Sequence, residues 1–254
     1  MNILQIIAMG WGIYRRNAAW YALAGLMLFT TALISAGLVS AGFLIDCGIA
    51  LVLGRHAVWT AVPAAVITIA LVTLVELAAG AFIAFSAWGA FTHLCARIGA
   101  GGRQISLLGF FEEMSAMALT YFLIGSIQQA AGLAVALPVF VVGVAIGTVY
   151  APVAAVAALL AGGVWLLMQL PFWLAFPAQV VQRRGAVASV AASIRASIAS
   201  PLASLVMLLT LALLALVPLV LNVFYPLYLF FVFAPLYTTM KLVYFEAISG
   251  MLGK

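Results

Sequence analysis

The chain has 254 residues, of which 68% are apolar and 6% are charged, and its formal net charge is +5. A soluble domain carries about 25% charged residues, so this composition excludes a water-soluble fold around a single core. The apolar runs are continuous and do not alternate with polar residues, which also excludes a membrane β-barrel. The predicted fold class is all-α, a polytopic membrane protein in which residues 1–254 form one transmembrane domain.

Six apolar runs are long enough to cross a bilayer, which takes about 20 residues of helix. We expect Pro138 to break or kink the end of the third run, and Pro171 and Pro177 to kink the fourth. The second run is longer than a bilayer requires, so its helix should tilt or project from the membrane. In chain order, the predicted spans are residues 18–44, 63–96, 114–136, 152–179, 201–221 and 227–248.

A short amphipathic helix is predicted before the fifth span, where Ser, Ala and Arg interrupt the apolar sequence. Its apolar residues recur at helical spacing, and serines form a second stripe. We expect this helix to lie in the membrane interface, because it is too polar to span and too apolar to float. The apolar stripe is Val187, Val190, Ala191, Ile194 and Ile198, and the serine stripe is Ser189, Ser193 and Ser197.

Two other segments share this pattern, residues 3–17 before the first span and residues 102–114 before the third. An amphipathic helix thus precedes each pair of spans. This order suggests three loosely similar units, residues 1–98, 99–182 and 183–254, each with one interfacial helix and one hairpin of two spans.

The basic residues fall on one side of a six-span topology, with Arg55 alone on the other. Such an excess marks the cytoplasmic side, so we expect both termini in the cytoplasm and the protein in the inner or plasma membrane of a prokaryote.

No removable signal peptide and no nucleic-acid partner are expected. Cys47 and Cys95 lie on opposite sides and should form no disulfide. The arginines assigned to the membrane interface are Arg15, Arg16, Arg183, Arg184 and Arg195.

A family resemblance is carried by the region that begins at Phe176. FPAQVV ends a span, a turn with Gly185 follows, and AVASVAASIRASIASPLASLVMLL continues into the next span, while GWGIYRRNAAWYALAGL matches the N-terminal pattern. These segments resemble the membrane domain attached to some glycerophosphodiester phosphodiesterases and the six-helix superfamily around it. The resemblance implies a six-helix fold. It carries over no catalytic residue, because the family's soluble barrel with its acidic metal ligands has no counterpart in this sequence.

Glu76 is the residue most suggestive of a site, because it lies near the middle of the second predicted span. A charge at a helix centre costs about 2.5–3.5 kcal/mol on insertion scales and usually faces a bundle interior or a cavity. Glu76 is either a carboxylate that responds to protons or substrate, or a hydrogen-bonded residue that locks helices together. Its candidate partners in a substrate site are Gln128 and Gln169, with Gln129 nearby. Gln169 has a second interpretation, in which it satisfies a carbonyl freed by Pro171.

The remaining charged residues have structural interpretations. Glu112 and Glu113 are predicted to begin the third span, where the positive end of the helix favours them. Lys241 and Glu246 are predicted to snorkel from the end of the sixth span to the interface.

Small and aromatic residues have structural interpretations as well. Gly143 and Gly147 have the spacing of a close helix contact. The aromatic residues between Phe224 and Tyr237 are predicted to face lipid and the interfacial belt.

These features favour a scaffold or accessory subunit of a membrane complex, which is not an enzyme. Its expected partners are membrane lipids and either another membrane protein or a second copy of the chain. The alternative is a permease or a lipid-handling carrier with a pathway near Glu76. A carrier should place several polar side chains at the midplane of facing helices, and this chain offers few. No residue spacing suggests a metal or a cofactor.

Overall fold

The computed structural model describes residues 3–55, 62–102, 105–147, 151–216 and 225–252. Nearly every residue in these ranges is helical and none belongs to a β-strand, which confirms the all-α fold. Five helices are long and apolar enough to cross a membrane, and a sixth span is counted if the bent pair Ala186–Ala199 and Pro201–Thr210 forms one. The chain therefore has the architecture of a multipass membrane protein.

Long helices pair as hairpins, and short helices gather at one end of them. We call that end, which contains α1, α4, α7 and α8, the short-helix end. A π-helix, Leu229–Phe233, joins the last two helices. In chain order the helices are α1 (Ile3–Arg16), α2 (Ala18–Arg55), α3 (Val62–Gly99), α4 (Leu107–Ala116), α5 (Ala118–Gly147), α6 (Ala151–Gln169), α7 (Ala175–Gln182), α8 (Ala186–Ala199), α9 (Pro201–Leu216), α10 (Tyr225–Tyr228) and α11 (Ala234–Leu252).

Two predicted helix ends are wrong. The helix α5 continues through Pro138 to Gly147, because a proline removes one backbone donor while the other intrahelical bonds persist where lipid offers no alternative partner. The helix α6 ends at Gln169 and does not kink through Pro171; the chain turns and restarts as α7. The predicted fifth span is described as far as Leu216, and residues 217–221 lie outside the described ranges.

The serine stripe of α8 faces the break between α6 and α7. Ser193 Oγ donates to the carbonyl of Pro171 at 2.8 Å and accepts from the N–H of Leu174 at 3.1 Å. Ser197 Oγ donates to the carbonyl of Leu170 at 3.1 Å. A broken helix leaves such backbone groups without intrahelical partners, and an apolar environment makes that costly. The break therefore explains Ser193 and Ser197, whereas the hydroxyl of Ser189 donates to the carbonyls of Arg184 and Gly185 before α8.

The apolar stripe predicted for α8 is divided between two environments. Val187 and Ile198 are 75% and 70% exposed, whereas Val190 is buried against the core. The helix thus buries its serines, Val190 and two alanines, packs Ile194 on the core, and exposes Val187 and Ile198. Its location in the membrane interface stays a prediction.

Small residues bring α5 and α6 close together. A Cβ added to Gly143 would collide with Ala157, and one added to Gly147 would collide with Ala154. The predicted close helix contact is confirmed.

The π-helix turns part of the sixth span's aromatic run inward. Its wider turn leaves the carbonyl of Phe231 free to accept a 3.2 Å hydrogen bond from Tyr14, and the carbonyl of Phe230 lies directly against Gly25. The ring of Phe230 packs on the core cluster of buried residues. The prediction that this run faces lipid is therefore wrong for Phe230, and it is also wrong for Tyr237, which packs on the other cluster of buried residues. The helix α11 contacts α1, α2 and α3. These helices enclose the residues of α11 that follow the π-helix.

Candidate functional site

Lys241 on α11 is buried, so the prediction that it snorkels to the interface is wrong. Its side chain is 4% exposed, because neighbouring helices cover this part of α11. The ammonium donates to the hydroxyl of Tyr237 at 3.3 Å and lies 4.7 Å from the centre of that ring. It also lies 5.6 Å from the ring centre of Trp173. Two aromatic faces and one phenol thus surround a cation inside the bundle.

No carboxylate lies within ion-pair distance of Lys241 among the described residues. Removal of an ammonium from water costs several kcal/mol. Cation–π contacts return about 2 kcal/mol when desolvated, and a neutral hydroxyl adds about 0.5–1.5 kcal/mol. The free-energy cost of burying the Lys241 ammonium is therefore incompletely compensated, and an anion beside the ammonium would be stabilised.

A cavity of about 320 Å³ lies beside this ammonium, and we call it the lysine cavity. Lys241 is its cation, and the amides of Gln128 and Gln129 are its other polar groups. Neither amide has a hydrogen-bond partner among the described residues. Helices α3, α5, α7 and α11 build the walls, with Ala84, Phe85, Trp88, Phe176 and Tyr237 as the remaining lining residues.

The lysine cavity lies within the spans and opens on one side. Gln128 is about 15 Å along α5 from Ala118, at 1.5 Å per residue. Ala84 at the rim is exposed, so the cavity communicates there with the outer surface of α3. That surface carries exposed apolar side chains, including Leu77 and Phe82.

A second polar cavity, also of about 320 Å³, lies nearer the short-helix end. We call it the histidine cavity, and its polar lining residues are His93, Glu113, Gln179 and Arg183. Glu113 Oε2 lies 3.5 Å from His93 Nδ1, and Glu113 Oε1 accepts a 2.9 Å hydrogen bond from Tyr121. The side-chain oxygen of Gln179 is buried and has no hydrogen-bond partner. This arrangement offers both donors and acceptors to a small polar ligand.

The structural interpretation of Glu113 is wrong. This residue lies in the last turns of α4 and does not begin the span, because the chain breaks at Met117 before α5. Its carboxylate bonds across helices to His93 on α3 instead of resting at a helix N-terminus. No sequence spacing signals this pair, because the two residues belong to different helices.

One aromatic layer separates the two cavities. Tyr121 bonds to Glu113 on the side of the histidine cavity, and its ring centre is 6.3 Å from that of Phe176. Phe176 lines the lysine cavity. Gln179, one turn further along α7, lines the histidine cavity. The polar groups of both cavities therefore follow one line from the short-helix end into the bundle.

The structure brings only one of the three predicted substrate-binding residues to the lysine cavity, namely Gln128. The amide of Gln169 is buried against Gly132 and Trp165, and neither its oxygen nor its nitrogen has a hydrogen-bond partner. It does not satisfy the carbonyl that Pro171 frees, since the N–H of Leu170 bonds the carbonyl of Leu167 at 3.1 Å.

Glu76 lies on another face of the hairpin. Its carboxyl group rests directly on Gly42 of α2, and the side chain is partly buried. Its position is about 12 Å along α3 from Ala84. One turn away, Asp46 accepts a hydrogen bond from Thr73. Glu76 therefore takes part in the α2–α3 contact and does not line the lysine cavity.

The arginines predicted for the membrane interface belong to the short-helix end, on α1, on α8 and in the turn between α7 and α8, and all are exposed. Which side of the membrane this end faces stays a prediction. The five are Arg15, Arg16, Arg183, Arg184 and Arg195.

No family model matches the chain, and neither a curated protein nor a solved structure matches it. The resemblance to the phosphodiesterase-linked membrane domain stays a prediction.

Proposed function

We propose that the protein binds an anionic amphiphile, with the head of the ligand in the lysine cavity and its tail in the surrounding lipid. This is the lipid-handling alternative, with its site at Lys241 in place of Glu76. The observation that carries the proposal is the burial of Lys241 beside a cavity, without a carboxylate among the described residues.

The polar groups of the cavity define the chemistry of the head. An ammonium has three donors, of which Tyr237 accepts one. The amides of Gln128 and Gln129 supply further donors on the facing helix. A carboxylate or a phosphate has the acceptor oxygens that these donors require, and it supplies the negative charge that Lys241 lacks.

The size and walls of the cavity define the rest of the ligand. A volume of about 320 Å³ is at the lower end of ligand pockets, so it admits a head and not a whole lipid. Phe85, Trp88 and Phe176 provide an apolar wall for the first carbons of a chain. The chain then leaves past Ala84, where the outer surface of α3 is apolar.

The test compares ligand retention by the parent, by Lys241→Met and by Arg15→Gln. Methionine keeps an unbranched stem and removes the charge, and Arg15→Gln removes an exposed charge outside the cavity. Native mass spectrometry of detergent-purified protein would measure binding of oleate and of lysophosphatidylglycerol, with lysophosphatidylcholine as the zwitterionic comparison. The two anionic probes distinguish a carboxylate head from a phosphate head.

We expect Lys241→Met to lose about tenfold or more in affinity for the anionic probe, which corresponds to about 1.4 kcal/mol. The Arg15→Gln variant should bind as the parent does. Equal binding by the parent and Lys241→Met would contradict the proposal. If a stoichiometric protein partner also co-purified with both, that result would favour the scaffold predicted from the sequence.

A further inference from the structure

A third cavity lies at the short-helix end, between the end of α7, α8 and α11. Its volume is about 560 Å³, and we call it the arginine groove. We propose that it binds the head of an anionic phospholipid that carries a phosphate diester and a hydroxyl group. The residues that argue for this are Gln182, Arg184, Arg195, Ile198, Phe245 and Ser249. This proposal shares no residue with the lysine cavity and stands independently of it.

Two guanidinium groups line the groove. Arg184 is in the turn between α7 and α8, and Arg195 is on α8. Neither makes an ion pair with a carboxylate among the described residues. A guanidinium presents paired N–H donors in the geometry of a phosphate, and it is charged at every physiological pH. Basic pockets beside membrane helices are suited to anionic lipid heads for this reason.

The polar groups beside the arginines favour a head that carries a hydroxyl. The side-chain oxygen of Gln182 is buried and has no hydrogen-bond partner. The hydroxyl of Ser249 donates to the carbonyl of Glu246 at 3.1 Å, which leaves its lone pairs free to accept. Two acceptors therefore lie beside two cations in one groove. A glycerol head provides donors for the acceptors while its phosphate binds the arginines.

The surroundings of the groove favour a lipid over a free phosphate. Its floor is apolar, with Phe245 and the alanines of α8. Ile198 at its edge is 70% exposed, and Leu202 at the start of α9 is 73% exposed. The helix α8 meets α9 at a bend of 100°. If α9 crosses the bilayer, α8 lies along its surface, and these exposed side chains meet acyl chains.

The test uses two pairs of arginines that carry equal charge. Arg184→Gln with Arg195→Gln removes the cations of the groove. The matched control, Arg15→Gln with Arg16→Gln, removes two exposed arginines from α1 at the same end, outside the groove. The delipidated parent and variants would receive equal amounts of phosphatidylglycerol and phosphatidylcholine with identical chains. Native mass spectrometry would then give the ratio of the bound lipids.

We expect the parent to enrich phosphatidylglycerol, the groove variant to lose that enrichment by about tenfold, and the control to stay within about twofold of the parent. The variant Lys241→Met should keep the enrichment, which separates this result from the test of the lysine cavity. Each single variant, Arg184→Gln or Arg195→Gln, changes an exposed side chain and provides the comparison if the double variant does not fold.

Three results would overturn the proposal. Equal losses in the groove variant and the control would show a general effect of surface charge. Unchanged enrichment in the groove variant would show that the groove does not select the lipid. Displacement of the lipid by an equal concentration of soluble glycerol 3-phosphate would show a site for a free phosphate ester instead of a phospholipid.

Discussion

The ammonium of Lys241 lies 4.7 Å from the ring centre of Tyr237 and 3.3 Å from its hydroxyl oxygen. The two residues are one helical turn apart on α11, so the helix itself sets this geometry. The aromatic ring and phenol stabilise the cation only in part, and the lysine cavity lies on its remaining side. The pair therefore positions the ammonium to bind an anion, and Tyr237 does not neutralise its charge.

Replacement of Lys241 by methionine should raise the melting temperature of the ligand-free protein. The change removes a buried ammonium, whose transfer from water costs several kcal/mol, and it keeps most of the side-chain volume. Thermal unfolding in one detergent would measure the shift. A melting temperature below that of the parent would show that the ammonium stabilises the fold and that its contacts within the protein compensate for its burial.

Glu76→Gln should leave the binding of anionic amphiphiles unchanged, because Glu76 rests on Gly42 and does not line the lysine cavity. The measurement is the same titration as for Lys241→Met, with both variants prepared in parallel. A loss of affinity in Glu76→Gln comparable to that in Lys241→Met would indicate that the ligand pathway passes the α2–α3 contact instead. Glu76→Leu, which also removes hydrogen bonding, would then report the packing role separately.

Ser193→Ala should destabilise the protein by about 2–3 kcal/mol, because it removes two hydrogen bonds from buried backbone groups at the break between α6 and α7. Ser115→Ala is the matched control. That serine is exposed and bonds to the carbonyl of Glu112, so its loss should cost less than about 0.5 kcal/mol. Equal effects on the melting temperature would mean that α8 does not support the break.

The same substitution should have opposite effects at two glycines. Gly143→Ala places a methyl group where Ala157 already lies, and such overpacking costs about 1–3 kcal/mol. Gly37 in α2 has no neighbouring atom near the position of a Cβ, so Gly37→Ala should stabilise its helix by about 0.5–1 kcal/mol. Stabilisation by both substitutions would contradict the close contact between α5 and α6.

The sequence was sufficient to predict the long helices and the short helices that precede them. Apolar runs of sufficient length identify spans, and apolar residues at helical spacing identify helices such as α1 and α8. A polar side chain is rare in an apolar run, which singles out Gln128, and this residue lines the lysine cavity.

The rest depends on contacts between helices, which no local pattern records. A lysine near the end of a span has the sequence environment of a snorkelling residue, and Lys241 is buried because other helices enclose it. His93 and Glu113 meet because a turn brings α4 back over α3. The serines of α8 gave the spacing of a stripe, but their partners at Pro171 and Leu170 are visible only once the chain is folded.

Photolabelling gives the most direct test of where an anionic amphiphile binds. The probe is a fatty acid with a diazirine close to its carboxylate, and peptide mass spectrometry locates the labelled residues after irradiation of the protein in vesicles. We predict labels at Phe85 or Trp88 on α3 and at Phe176 on α7, strongly reduced in Lys241→Met. Labels spread evenly over the lipid-exposed residues, at the same level in the parent and in Lys241→Met, would contradict a head group bound in the lysine cavity.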